Sequence, residues 1–377
     1  MNITKKPRCL FLATFDPTVS STGTTTRGRL FLRQFVEVYD VHLVHLQEKH
    51  EEGRDNELMT KLKSVSTVPY SSLNYFLFCP DFYKVASNIL ENHKIDFIFA
   101  DFEKAGFYAH LLSRKYNIPY IYNTHNVEYQ RYLNVARTNR LRYLFVPYMY
   151  IVERVAVKNA LFTTAISEPD AKVFRRWVPK DKVLVLHCAF DENILDPFYE
   201  QIKTDRPVVL MVGNYSNAGN RDGVYTVYNE ILPKVVEKHP EVIFRFIGKE
   251  FPGDVSHQNI ESLGFVDDLK EEYAKASIVI APIKMGGGIK IKVIEALASG
   301  RYLITTKKGM EGVNAECLSN LQVTDIKNFP KYIISAIVSH PEKTINNWEI
   351  VSNAYGVKQA MSQLFNTIEH SLASARD

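Results

Sequence analysis

The feature that most constrains this chain is an alternation of short apolar runs with stretches of helical periodicity, carried through twice. RCLFLAT (Arg8–Thr14) reads as a strand and GRLFLRQFVEVY (Gly28–Tyr39) as a helix. Val41–Leu46 follows as a strand, Lys84–Asn92 as a helix, Phe97–Ala100 as a strand, Ala105–Tyr116 as a helix and Tyr120–Asn123 as a strand. A helical region from about Arg140 to Asn159 and a strand at Leu161–Ala165 close the first series. The pattern breaks over DENILDPFYEQIKTDRP (Asp191–Pro207), a polar stretch with two prolines that reads as a linker. A second series then runs through strands at Val208–Val212, Val242–Ile247, Ile278–Pro282 and Tyr302–Thr305, with helices at Asp222–Lys238, Leu269–Lys275 and Ile289–Ser299, and a helical tail at about Asn346–Leu372. Repeated βα units of this kind predict α/β architecture with two doubly wound parallel sheets. The expected domains are 1–190 and 191–354, with a helix at about 355–377 packing back on the first. Two such Rossmann-like domains, facing each other across a cleft, place ligands in the loops after the strands.

Composition agrees with this plan. At 377 residues and 46% hydrophobic content the chain has enough apolar material for two cores. Its apolar runs are short and interrupted by charge, so no transmembrane helix is expected. Lys5, Lys6 and Arg8 precede CLFLATF, but that run stops at Asp16 without a small-residue cleavage site and reads as a strand, not a signal peptide. Four cysteines far apart in sequence, without metal-ligand spacing, point to a reduced, cytoplasmic chain. His42 and His45 fall on opposite faces of one strand, so no metal site is expected there. Charge is uneven: residues 1–190 hold 26 Lys and Arg against 18 Asp and Glu, while the rest holds 20 against 24. A basic first half suits an anionic acceptor or an anionic membrane surface at the inner face. Tyr129–Tyr150, with Arg131, Arg137, Arg140, Arg142, Tyr143, Phe145 and Tyr148, suits either such a surface or an ordinary half-buried helix. No nucleic-acid module is recognisable.

The stretch MGGGIKIKVIEALASG (Met285–Gly300) carries the most chemistry. Gly286, Gly287 and Gly288 run into a helical pattern whose first turns hold Lys290, Lys292 and Glu295. Glycine lets backbone approach a ligand, and a helix start offers unpaired N–H groups and a positive dipole end. With two lysines this makes a seat for an anion such as phosphate. Glu295, three residues after Lys292, shares its face and can accept hydroxyl hydrogen bonds from a sugar. The segment is neither a P-loop nor a dinucleotide fingerprint.

VGNYSNAGNRDG (Val212–Gly223), RFIG (Arg245–Gly248), LGFVDDLKEEYAKASIVIAPIKMGGGIKIKVIEALASG (Leu263–Gly300) and TTKKGMEGV (Thr305–Val313), in that order, closely resemble the donor-binding domain of GT-B glycosyltransferases of family 4. NTHNVEYQRY (Asn123–Tyr132) and TAISEPDA (Thr164–Ala171) are similar to segments of the first domain of these enzymes. The resemblance implies transfer of a sugar from a nucleotide-diphosphate donor, of the UDP or GDP type, to a hydroxyl of a saccharide or lipid-linked saccharide, with retained anomeric configuration. It implies no metal and no other cofactor. It matches Glu295 to the glutamate that binds the ribose hydroxyls, and Lys290 to a basic position suited to the diphosphate, with Ile289 in the same loop. It sets Arg221 after the Gly213 loop, where a basic residue meets the diphosphate. It sets Gly264, Phe265 and Val266 at the turn beside the nucleobase, and His125 near the transferred sugar. Two departures stand out. Gly287 occupies a position where many members carry a glutamate, and HCAFDE (His187–Glu192) replaces a commoner N-G-[VI]-D turn.

On this reading Lys290, Arg221 and the helix start after Gly288 stabilise charge developing on the leaving diphosphate, and His125 completes the catalytic set. Domain closure would exclude water. The loop Ser20–Arg29, with Gly23, Thr24 and Arg27, reads either as an acceptor or phosphate contact or as a capping turn with Thr26 as the cap. Asn126 and Glu128 read as acceptor contacts, Glu128 equally as a helix N-terminal carboxylate. The first expectation is a glycosyltransferase of surface polysaccharide or glycolipid assembly, cytoplasmic and peripheral on the membrane. A non-catalytic GT-B partner or chaperone subunit and a sugar-nucleotide epimerase are the alternatives.

Overall fold

The computed structural model describes residues 6–19, 23–47, 54–69, 78–136, 140–187, 190–192, 200–266, 269–286, 289–342 and 344–375. The chain forms two compact units: Met1–Cys188 together with Ala360–Asp377, and Ala189–Gln359.

The first unit is built on seven parallel strands: β1 (Arg8–Ala13), β2 (Asp40–Gln47), β3 (Ser64–Pro69), β4 (Phe97–Asp101), β5 (Tyr120–Asn123), β6 (Thr163–Ala165) and β7 (Val183–Val185). Their order is 3-2-1-4-5-6-7. Helices cover both faces, so the central strands are buried on both sides and read as continuous apolar runs instead of alternating ones; all five residues of FIFAD are buried. Phe35 packs on Phe99 with ring centroids 4.4 Å apart. The last helix, Val357–Ser374, sets Phe365 against Phe35 at 5.3 Å and Tyr39 at 5.5 Å.

The second unit has six parallel strands, β8 (Val208–Val212), β9 (Ile243–Ile247), β10 (Ile260–Gly264), β11 (Ile278–Ala281), β12 (Tyr302–Thr305) and β13 (Leu321–Val323). Their order, 10-9-8-11-12-13, is the doubly wound 3-2-1-4-5-6 arrangement. Each sheet therefore has a point where strand order reverses: between β1 and β4 in the first, between β8 and β11 in the second. Among the described residues no helix is long and apolar enough to cross a membrane.

Several boundaries differ from the sequence expectation for physical reasons. The first helix begins at Gly23, not Gly28, so Thr26 lies inside its first turns and is not a cap. Gly28 serves packing instead: a Cβ there would fall 2.4 Å from the Phe15 ring and 3.2 Å from Asp101 Oδ2. The helix expected from Asp222 starts at Ala218, where the Asn217 side chain accepts from Gly219 N–H at 2.9 Å. It then passes through a π-turn, Val227–Ile231, just before Pro233, which has no N–H to give the regular ladder. The Arg140–Asn159 region divides into a 3-10 segment, Arg140–Phe145, and an α-helix, Val146–Asn159.

Candidate active site

In the second unit the two βα turns at the reversal point lie side by side. One follows β8 and carries Gly213; the other follows β11 and carries Gly286. Gly286 has φ +105°, a conformation that glycine alone adopts readily. Gly287 and Gly288 lie outside the described residues. The helix after this loop, Ile291–Ala298, begins with Lys290 at its N-cap, and no side chain caps its first N–H groups. The helix after the other loop, Ala218–Thr226, carries Asn220 and Arg221 in its first turn.

Lys292 ties the two turns together. Its ammonium donates to Asn220 Oδ1, and Asn220 Nδ2 donates to the Asn214 carbonyl at 2.7 Å. A Cβ on Gly213 would lie 3.2 Å from Lys292 Nζ, so glycine there leaves room for the lysine. Gly248, with φ +139°, supports the same turn: a Cβ would collide with the Gly213 carbonyl oxygen at 1.7 Å. Burial lowers the Lys292 ammonium to about 8, against the attraction of Glu295. Burial likewise raises the half-buried Glu295 carboxyl to about 7, with Lys292 opposing. The Glu295 carboxylate has no hydrogen-bond donor among the described residues, so it can accept one from a ligand hydroxyl. Lys290 pairs with Glu311 at 3.5 Å, and burial lowers its pKa. Ile289 packs on Gly312, whose φ of +81° and missing Cβ make the space.

The other residues expected here lie further out. Arg221 is exposed and donates Nε to the Tyr215 carbonyl at 3.2 Å. Gly264, at φ +68°, ends β10 and accepts Gly248 N–H at 2.7 Å. Phe265 is exposed with Lys249 Nζ 5.3 Å from its ring centre, whereas Val266 packs partly into the core.

In the first unit the strand register creates a polar row at the carboxyl ends. Ala13 pairs with Asp101, Asp101 with Asn123, and Asn123 with Thr164. Asp101 Oδ1 accepts from Asn123 Nδ2 at 2.7 Å and from His125 Nε2 at 2.8 Å. His125 is buried between Phe15 and Phe102, at 5.9 and 5.0 Å between ring centres. Burial lowers its pKa, Asp101 opposing and Arg27 assisting. Directly after Asp101 the backbone enters the left-handed region at two non-glycine residues, Phe102 (φ +73°) and Glu103 (φ +27°). Such strain persists only where surrounding structure holds it, and it gathers at functional sites.

Next to this row sits a buried acid cluster. Glu128 opens the helix Glu128–Ala136 and binds Arg131 at 2.6 Å; Arg131 also binds Glu103. Glu153 accepts the Glu128 and Tyr129 N–H groups at 2.7 and 3.2 Å, doing from a neighbouring helix what a cap does locally. Burial raises both Glu128 and Glu153 and lowers the Lys104 ammonium to about 8. Glu128 is the first residue of its helix, and Asn126 Nδ2 approaches its carboxylate at 3.4 Å. Gly23 is the first residue of its helix and Thr24 is half-buried beside it. Arg27 is buried, reaching the Leu186 carbonyl at 3.5 Å and lying 5.0 Å from the Phe31 ring centre. Asp101 and Glu153 escape the sequence reading. An aspartate ending a wholly apolar strand, FIFAD, is the one local sign of the former.

Comparison with known proteins matches residues 23–193 to the family profile Glycosyltransferase Family 4 and residues 206–338 to Glycosyl transferases group 1. An uncharacterized 44.6 kDa protein in the cps region of Klebsiella pneumoniae is 24% identical over 190 residues, 46% of this chain. The chain spans about half the length of that curated relative, 49%. Among solved structures, HepE of Anabaena in complex with UDP-glucose is 15% identical, with a TM-score of 0.67 over 96% of this chain and 99% of that one. Sucrose-phosphate synthase of Thermosynechococcus elongatus is 16% identical, with a TM-score of 0.67 over 98% of this chain and 100% of that one. WaaG, a glycosyltransferase involved in lipopolysaccharide biosynthesis, is 14% identical, with a TM-score of 0.62 over 92% and 94%. The fold they share with this chain is GT-B.

Proposed function

The chain belongs to the glycosyltransferases, with a family 4 domain followed by a group 1 domain, and from that premise we propose that it moves a sugar from a UDP-activated donor to a hydroxyl of a surface polysaccharide or glycolipid, with retained configuration. The observation that carries the reading is the convergence of Lys292, the Gly213 turn and Glu295 at the reversal point of the second sheet. Lys292, with Lys290 and the adjacent helix starts, neutralises charge developing on the diphosphate as the sugar–phosphate bond breaks. Lys292 is the more direct candidate, since its ammonium donates to the neutral Asn220 amide between the two turns, whereas Lys290 is paired with the Glu311 carboxylate and Arg221 donates to the Tyr215 carbonyl. Glu295 accepts the ribose hydroxyls. Phe265 lies beside the base. His125 meets the transferred sugar, and a β-phosphate oxygen takes the acceptor proton, so no side-chain base is needed. Uridine is favoured because HepE was solved with UDP and with UDP-glucose. A role in polysaccharide assembly draws on the cps-region relative.

The helix Val146–Asn159 supports contact with an anionic membrane. It presents Pro147 and Ile151 exposed in a row with Arg154 and Lys158, and Leu144 of the preceding 3-10 segment is exposed as well. Loss of co-sedimentation with anionic vesicles in Ile151→Glu would support this contact, and unchanged co-sedimentation would remove it. For the activity, thermal melting with UDP, GDP, ADP and TDP comes first: a ligand at 100 times its Kd stabilises by about 2.7 kcal/mol. UDP should give the largest shift, and release of UDP from UDP-glucose should require acceptor. Equal shifts for all four, or UDP binding with no turnover on any acceptor, would overturn the proposal and favour a binding subunit.

A further inference from the structure

The polar row ending the first sheet dictates which nitrogen of His125 carries the proton. Asp101 is a carboxylate and can only accept. Asn123 therefore turns its Nδ2 toward Asp101 Oδ1, because the flipped amide would set oxygen against oxygen. Its own oxygen then receives the Thr164 hydroxyl. Thr164 is held in turn by the register that pairs it with Asn123. His125 Nε2 approaches the same Asp101 oxygen, so it must carry a hydrogen, and the neutral ring keeps its lone pair on Nδ1.

We infer that Asp101 is a positioning residue: it locks His125 as the Nε2–H tautomer and so makes Nδ1 the atom that meets the ligand, as acceptor for a sugar hydroxyl. The inference rests on the reading of His125 given above. A purely structural account of Asp101 is poor. Its side chain is fully buried, its Oδ2 has no hydrogen-bond partner among the described residues, and it precedes two residues in strained backbone. Burying a half-satisfied carboxylate costs stability. At the neighbouring Gly28 a Cβ would fall 3.2 Å from Asp101 Oδ2 and 2.4 Å from the Phe15 ring.

Long-range 15N–1H NMR spectra of the wild-type protein, with His125 assigned by its loss in His125→Gln, read the tautomer without any substrate. A protonated Nε2 is expected; a proton on Nδ1 overturns the inference outright. Kinetics with UDP-glucose then separate the roles. Asp101→Leu should lower kcat about tenfold or more, with KM nearly unchanged. Asp101→Asn, whose amide oxygen can take the place of Oδ1, should keep the tautomer and recover part of the rate. Wild-type kcat in Asp101→Leu alongside an inactive His125→Ala overturns the positioning role alone. Wild-type kcat in His125→Ala overturns the underlying reading of His125.

Discussion

The two reversal points share a topology and differ in what their strand ends carry. In the second unit the ends are glycine turns, so backbone and Lys292 define the space, and Glu295 stands half-buried without a donor among the described residues. In the first unit the ends are side chains that satisfy one another: Thr164, Asn123, Asp101 and His125 form one row, and Glu153 closes the start of the helix at Glu128. A glycine-built turn is shaped to receive a charged ligand against main chain and one cation. A row of mutually bonded side chains is shaped to hold one group in one orientation. On the proposed reading the same fold supplies an anion seat in one half and an oriented imidazole in the other, and function follows the side chains, not the topology.

The comparison is broken most forcefully by removing the cation. Lys292→Ala should lower kcat for UDP release by roughly 10²–10³-fold, the scale of losing one preorganised donor to transition-state charge. Lys290→Ala should cost less, since that ammonium is already paired with the Glu311 carboxylate, whereas Lys292 donates to a neutral amide. Steady-state kinetics of both variants check the ranking. A greater loss for Lys290→Ala would mean that the ligand draws Lys290 off Glu311 and that Lys292 is chiefly a strut for Asn220.

Adding one methyl group to each half sharpens the contrast next. At Gly213 a Cβ would press on Asn220 Nδ2 at 3.1 Å and Lys292 Nζ at 3.2 Å, which are side-chain ends and not backbone. Gly213→Ala should therefore fold normally and raise the KM for the nucleotide sugar about tenfold, a cost near 1.4 kcal/mol. At Gly28 the methyl group would meet the Phe15 ring at 2.4 Å in a packed interior. Gly28→Ala should instead lower stability by about 1–3 kcal/mol, as overpacking does. Urea unfolding and donor kinetics on both variants decide the matter; a stability loss at Gly213 and none at Gly28 would invert the picture.

Much of the second unit was legible in sequence because its function is written in local signals. The Met285–Gly300 stretch joins a glycine loop, a helix start, two lysines and a glutamate within sixteen residues, and the strand before it is a clear apolar run. The first unit was legible as fold and much less as site. Its polar row comes from three strand ends far apart in sequence, and only register brings them together. Asp101 alone reads as a turn residue, and Glu153 as one charge on an amphipathic helix. Gly28 misled in the opposite direction: glycine near an expected helix start reads as a boundary, yet here it permits close packing inside the helix. Short or half-buried edge strands such as β10 and β13 lack the apolar runs that mark central ones, which is why they went unseen.

The smallest expected effect concerns the two burial-shifted glutamates, and here the halves should respond with opposite signs. Glu295 is raised to about 7 by burial, from an ordinary 4.5. A group whose folded pKa is raised favours the native state fully below its unfolded pKa and loses that contribution as pH rises through 7. Above pH 7 the ligand-free protein thus carries an unsatisfied charge that Lys292 only partly offsets. Glu295→Gln removes that charge, so it should stabilise the ligand-free protein at pH 8 by roughly 1–2 kcal/mol, allowing for solvent screening of a half-buried group, and do almost nothing at pH 4.5. Burial also raises Glu153, but its two oxygens already receive two backbone N–H groups. Glu153→Gln would turn an amide N–H toward one of those donors, so it should destabilise at both pH values. Thermal melting of the two variants at pH 4.5 and 8 tests the pair. If Glu295→Gln also destabilises at pH 8, the carboxylate is held by the fold in the way Glu153 is, and the second reversal point does not keep an acceptor in reserve for a ligand hydroxyl.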